Sequence, residues 1–197
     1  MRAIAGEPVS HPITDYIDQH QSAVASLRDH AEQIQGGIDL CADAIARGNK
    51  LLLCGNGGSA GDAQHIAAEL VGRLVNDRKA LPAIALTTDT SALTAIANDY
   101  GYEAVFARQV EALGSEGDVL VAISTSGHSA NVNLACRRAA ELGCQTLALA
   151  GKGGGELASL ADVALVVPSA VTAHIQECHI LLGHLLCSGI ESRLGLG

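Results

Sequence analysis

The sequence predicts an α/β fold, a doubly wound five-stranded parallel sheet preceded by N-terminal helices. Three observations carry this expectation. Five short apolar runs, each too short for a helix and bounded by turn residues, alternate with segments of helical periodicity. The chain is 48% hydrophobic but has no Trp, one Phe and three Tyr, so its core must be built from Ala, Val, Ile and Leu, as in parallel sheets covered by helices. No low-complexity tract or linker divides the 197 residues, which suffice for one domain with a sizeable core.

The elements follow in order. Over residues 15–47, Ile17, Val24, Leu27, Ile34, Ile38, Leu40 and Ile45 recur at roughly helical spacing. Gly36-Gly37 is expected to interrupt this pattern and Gly48 to end it, giving two helices or one kinked helix. Residues 1–48 are read as a helical segment packing on the domain or on another subunit, and 49–197 as the α/β domain. Strands are expected over 50–54, 82–86, 118–124, 145–150 and 163–167. Helices are expected over 59–75, 91–113, 129–142, 156–160 and 172–193.

Composition excludes some partners. The formal net charge is −9 and no Lys/Arg run stands out, which argues against a nucleic-acid groove. A small anion remains admissible, because helix N-termini bind phosphate without net positive charge. The six cysteines, at 41, 54, 136, 144, 178 and 187, have no C-x-x-C pair and read as reduced, apolar-packed thiols. Residues 1–20 contain no apolar signal region, and no window spans a membrane without charge or Gly. A cytoplasmic protein without membrane contact is expected.

Two turns carry the first functional signal. Gly55-Asn56-Gly57-Gly58 joins the first strand to a helix opening near Ser59. Glycines there permit positive φ and close approach of a ligand, while the first N–H groups of the helix have no internal partners. Ser59 is placed to cap the helix or to donate to an anion. After the third strand, Ser124-Thr125-Ser126-Gly127-His128-Ser129 repeats the device with four hydroxyls in six residues. Either turn alone also reads as an ordinary strand-to-helix connection; two in one sheet point to a shared anion site. The first turn loosely fits a dinucleotide fingerprint, but the acidic residue expected about 20 positions on is absent.

A second signal is acid–base and metal chemistry. His65 and Glu69 are four apart on one helix and share a face; Gln176 and His184, eight apart on the last helix, share another. These residue types serve as zinc ligands, and Glu and His as general base and acid. The plainer reading of His65 and Glu69 is a surface ion pair. His179 and Glu177 are expected on other faces.

Together these residues are familiar. Gly55-Asn56-Gly57-Gly58-Ser59, Asp62-Ala63-x-His65 and Ala68-Glu69-Leu70 resemble the phosphoheptose isomerases of the sugar-isomerase (SIS) family. So do Ala97-Asn98-Asp99-Tyr100-Gly101, Ile123-Ser124-Thr125-Ser126-Gly127-x-Ser129-x-Asn131 and Ile175-Gln176-Glu177-x-His179…His184, all in family order over roughly residues 50–190. The resemblance implies a flavodoxin-like SIS domain and a homotetramer with active sites at subunit interfaces. It implies conversion of sedoheptulose 7-phosphate to glycero-manno-heptose 7-phosphate, feeding heptose synthesis for lipopolysaccharide, capsule or related glycans.

By matching motif, Asn56, Gly57, Gly58, Ser59, Asn98 and Asp99 are implied to contact substrate, and Ser124, Thr125, Ser126 and Ser129 to cradle phosphate. His65, Glu69, Gln176 and His184 match zinc ligands; Glu69 and Gln176 also face substrate. Glu69 is the implied base and His184 the implied acid. The sequence departs at Val171-Thr172-Ala173-His174, where many relatives carry Asp or Arg; His174 is a candidate substitute contact. The alternative is a non-catalytic SIS relative that binds a replication initiator. Such relatives resemble Ala83-Ile84-Ala85-Leu86-x-Thr88-Asp89 and Leu93-Thr94-Ala95-Ile96-Ala97-Asn98-Asp99. A binding module need not keep Glu69 and His184, and both are present. A sugar-phosphate sensor is a third reading, and its expected DNA-binding helices are not seen in the chain.

Overall fold

The five apolar runs form five strands: β1 (Leu51–Gly55), β2 (Ala83–Ala85), β3 (Val119–Ser124), β4 (Gln145–Gly151) and β5 (Val163–Val167). They are seen in a computed structural model that describes residues 11–196, so the first ten residues of the 1–48 segment lie outside the described residues. The helices are α1 (Pro12–Ser26), α2 (Ala31–Ala46), α3 (Gly58–Val71), α4 (Thr90–Tyr100), α5 (Val105–Leu113), α6 (Ala130–Glu141), α7 (Gly155–Leu160) and α8 (Thr172–Arg193). All strand pairs are parallel, in the order β2-β1-β3-β4-β5.

Alternation along the strands builds two cores. Leu51, Leu53, Val119, Val121, Ile123, Leu147 and Leu149 share one core with buried residues of α2, α3 and α8. Leu52, Cys54, Leu120, Ala122 and Ala148 share the other with Phe106, Val110, Val132, Ala139 and Leu157 of α5, α6 and α7. Every residue of β1 and β3 is buried, which is why these strands read as unbroken apolar runs. The sheet order reverses between β1 and β3, where α/β proteins hold ligands beyond the strand ends. Gly55 pairs with Ile123, so the two strands finish almost level and their following turns lie side by side.

Three boundaries differ from the sequence expectation. The N-terminal break falls at a 3₁₀ turn over Leu27–His30, not at Gly36-Gly37, which lies inside α2. Gly37 is there for packing: a Cβ would stand 3.1 Å from Leu147 Cδ1, so the missing side chain lets α2 press onto the sheet. The expected 91–113 helix is two helices, because Gly101 at φ +87° ends α4 and a short turn starts α5. Finally, α3 stops at Val71 rather than 75. The Arg78 guanidinium takes over its last carbonyls, donating to Leu70 O at 2.6 Å and Glu69 O at 2.8 Å. Arg78 is itself paired with Glu191 of α8 at 2.7 Å, with both side chains about as buried as core residues. The turn of α3 carrying Glu69 is thereby pinned.

The α3–α8 contact decides where the polar residues meet. A Cβ on Gly183 would lie 2.7 Å from Ile66 Cδ1, so the helices approach most closely where α8 has no side chain. Their sequence neighbours, His65 and His184, are consequently brought face to face. All six cysteines are free and buried, and burial pushes Cys41 and Cys136 up to about 12. Among the described residues, no helix is long and apolar enough to cross a membrane.

Candidate active site

The two turns are physically joined. Asn56 Nδ2 donates to Asn131 Oδ1 at 2.8 Å, and Asn131 Nδ2 returns a bond to Asn56 Oδ1 at 2.9 Å. Tyr102 OH adds a third bond to Asn56 Oδ1 at 3.1 Å. Sequence reasoning misses both Asn131 and Tyr102 as site residues. Asn131 lies inside a family motif, two positions after Ser129, and an amide in the first turn of a helix is a usable signal. Tyr102 has no comparable signal; only the fold carries it back to the first turn.

Each turn is built from glycines and small polar residues. Gly57, at φ +57°, precedes α3, and Ser59 N bonds back to Asn56 O at 3.0 Å. Ser59 is buried inside the first turn of α3, so it does not cap the helix; Gly57 holds the cap position. Gly58 leaves room for the Gln176 amide, with which any Cβ would collide. In the second turn the Ser124 and Ser129 hydroxyls lie 2.9 Å apart, Ser124 Oγ accepts from Gly127 N, and Ser126 Oγ accepts from His128 N. Thr125 is half-buried beside them. Gly127, at φ +67°, abuts the Gly154 carbonyl with no space for a side chain.

Three of the four implied metal ligands converge. His65 Nε2 lies 3.0 Å from Glu69 Oε1 and 3.2 Å from His184 Nε2, and His184 Nε2 lies 3.5 Å from Glu69 Oε1. A tetrahedral zinc holding N and O donors at about 2.0–2.1 Å sets ligand atoms roughly 3.3 Å apart, so the triangle has the right size. Glu69 Oε2 is buried without a hydrogen-bond partner. A cation would offset the cost of that burial. The residues present therefore fit a zinc ion. The His65 and His184 side chains are 51% and 44% exposed, which leaves the triangle open on one side.

Other residues fall elsewhere. Asn98 and Asp99 stand exposed near the end of α4, bonded to each other at 2.8 Å. Among the described residues no hydrogen bond joins them to the turns. His174 does not face the turns: it is buried against Tyr16, with ring centroids 4.3 Å apart, and bonds Glu177. His179 is structural, its Nε2 donating to Ala150 O at 3.1 Å. Burial pushes its imidazole down to about 4.

The likeness to known proteins is close in both sequence and structure. The SIS domain family matches residues 15–151. A phosphoheptose isomerase of a Nitratiruptor species is 60% identical over 77% of this chain and 81% of its own length. One from Helicobacter pylori is 54% identical over 90% and 92%. Among solved structures, a phosphoheptose isomerase from Francisella tularensis superposes with a TM-score of 0.88 at 38% identity, covering 91% of this chain and 96% of that one. One from Neisseria gonorrhoeae gives 0.80 at 46% identity, covering 91% and 99%. The initiator-binding alternative finds no support among these relatives.

Proposed function

The chain belongs to the SIS-domain family, and on that premise we infer that it works as a phosphoheptose isomerase through the His65–Glu69–His184 triangle and the two linked turns. It is a sugar-phosphate isomerase, interconverting sedoheptulose 7-phosphate and D-glycero-D-manno-heptose 7-phosphate in heptose biosynthesis. The observation that carries the reading is the convergence of His65, Glu69 and His184 on the helices α3 and α8, with the two linked turns at the start of α3 and α6.

In this reading the α3 and α6 amide ends and the Ser124, Thr125, Ser126 and Ser129 hydroxyls hold the phosphate. Asn56, Gly57, Gly58, Ser59 and Gln176 line the sugar's path, while Asn98 and Asp99, exposed at the end of α4, are proposed contacts on the matching motif alone. The Glu69 carboxylate removes a C1 proton, and the C1–H electron pair forms the C1=C2 bond. His184 delivers a proton to O2, giving the enediol. It then takes the O1 proton while Glu69 returns its proton to C2, completing the aldose. His65 and Gln176, joined by Glu69 and His184 when these carry no proton, would hold zinc, and bound zinc would supply Lewis acidity toward the carbonyl oxygen.

We further propose a cytoplasmic homotetramer with interface sites, serving lipopolysaccharide, capsule or related glycans. The open side of the triangle and a groove lined by Leu27, Ile34, Leu181 and Leu185 support such assembly. Four chains per particle by light scattering is the expected result, and a monodisperse monomer would overturn it. Incubation with sedoheptulose 7-phosphate, with and without chelator, tests the rest. Aldose formation lost on chelation and restored by zinc is expected; chelator-resistant turnover would remove zinc from the reading.

A further inference from the structure

A second cluster of ligating side chains lies where α1 crosses the start of α8. Glu177 Oε2 is 2.8 Å from His20 Nδ1 and 3.1 Å from His174 Nδ1. All three side chains offer a ligand atom within 4.8 Å of the others. From these contacts we propose that His20, His174 and Glu177 form a second divalent-cation site, of the zinc class, that fastens α1 to α8.

Hydrogen bonding alone leaves the cluster incomplete. His20 Nδ1 is buried and close to the Glu177 carboxylate, yet it makes no hydrogen bond. His174, with its side chain 2% exposed, turns Nδ1 to the same carboxylate oxygen, so the unsatisfied atom inside the cluster is His20 Nδ1. Buried imidazole nitrogens are rarely left so. A cation between the three residues takes the unpartnered His20 Nδ1 and the His174 Nδ1, the ring nitrogen nearest Glu177, together with a Glu177 oxygen, and two imidazoles with one carboxylate select zinc over magnesium or calcium. The fourth position is left to water.

The surroundings orient the ligands. Tyr16 OH donates to Glu177 Oε1 at 2.9 Å, leaving Oε2 for the ion. The Tyr16 ring lies against the His174 ring and fixes its plane. Outer contacts of this kind hold metal ligands in register. The site is separate from the active-site triangle: Glu177 precedes His184 by two turns of α8, about 10 Å along the axis. Its role is to hold the N-terminal part of α8, including the neighbouring Gln176, against α1.

The test is metal content of the full chain, stripped with chelator, reloaded with Zn²⁺, desalted and measured by elemental analysis. Wild type is expected to keep one more zinc per chain than His20→Ala, while His65→Ala keeps the second ion. Tyr16→Phe is expected to weaken that ion about 10-fold without removing a ligand. His20→Gln, which preserves bulk, replaces His20→Ala if circular dichroism shows the latter unfolded. Isomerisation by the His20 variants is expected to persist. Equal zinc in wild type and the His20 variants, or loss of all zinc with His65→Ala alone, would overturn the proposal. Because the His20 and His65 variants report different ions, failure of this site is distinguishable from failure of the catalytic one.

Discussion

At the scale of single residues, Glu69 and His184 are the proposed base and acid, and Asn131 ties the two turns together. Glu69→Gln keeps size and hydrogen-bonding capacity but removes the base. We expect isomerisation to fall by roughly 10³-fold while sugar-phosphate binding, followed by calorimetry, persists. Loss of binding in that variant would refute the division between phosphate turns and reacting groups. Asn131→Ala removes both bonds between the turns and leaves Asn56 with Tyr102 alone. A rise of about 10-fold in KM with a smaller change in kcat is the expected result, corresponding to about 1.4 kcal/mol of binding. His65 and Glu69 are legible as a pair because i,i+4 spacing puts them on one helix face, whereas His184, on another helix, is joined to them only by the family resemblance. The Asn56–Asn131 pair is not legible, because 75 positions separate its members and only the level ends of β1 and β3 bring them together.

At the scale of elements, the His65–Glu69–His184 triangle is a product of helix packing. His65 and His184 meet because α3 and α8 touch at Ile66 and Gly183. Gly183→Ala would set a Cβ 2.7 Å from Ile66 Cδ1, so that Ile66 or the helices must shift beside the proposed catalytic triangle. Overpacking of this kind costs about 1–3 kcal/mol. We expect a lower Tm and weaker zinc retention together, with kcat reduced more than KM. An unchanged zinc affinity with a lowered Tm would show that the triangle does not depend on this contact. The strands were readable almost to the residue, since fully buried strands advertise themselves as short apolar runs. The glycines were harder. Gly36-Gly37 looks like a break because a glycine's cost to a helix is local, whereas the gain at Gly37 comes from Leu147, more than a hundred positions away. The end of α3 was likewise set from outside, by Arg78 and its Glu191 partner, and no periodicity within α3 reveals it.

At the scale of the whole molecule, acid stability is partly written in the core. His179 is neutral in the folded chain, with burial holding its imidazole near 4 against an ordinary 6.5. Above pH 6.5 neither state is protonated and the fold keeps its full stability. As pH falls from 6.5 to about 4, the unfolded chain gains a proton that the folded chain refuses, costing up to about 3 kcal/mol. Asp62 pulls the other way, since burial outweighs the attraction of His65 and lifts its carboxyl to about 6. The measurement is therefore a comparison. The stability gap between wild type and His179→Gln, from urea midpoints, is expected to shift in favour of the variant as pH drops through that window. A gap independent of pH would mean that His179 does not carry this linkage.

The six buried thiols give the chain a chemical silence with a use. They are spread over α2, β1, α6, the loop before β4, and α8, so each helical layer and the sheet itself hold at least one. A thiol that is both inaccessible and slow to ionise reacts only when its surroundings open. Alkylation of the native protein, read site by site, would then time the opening of each layer separately. The two cysteines of α8 would report how long the helix that carries Gln176 and His184 stays closed.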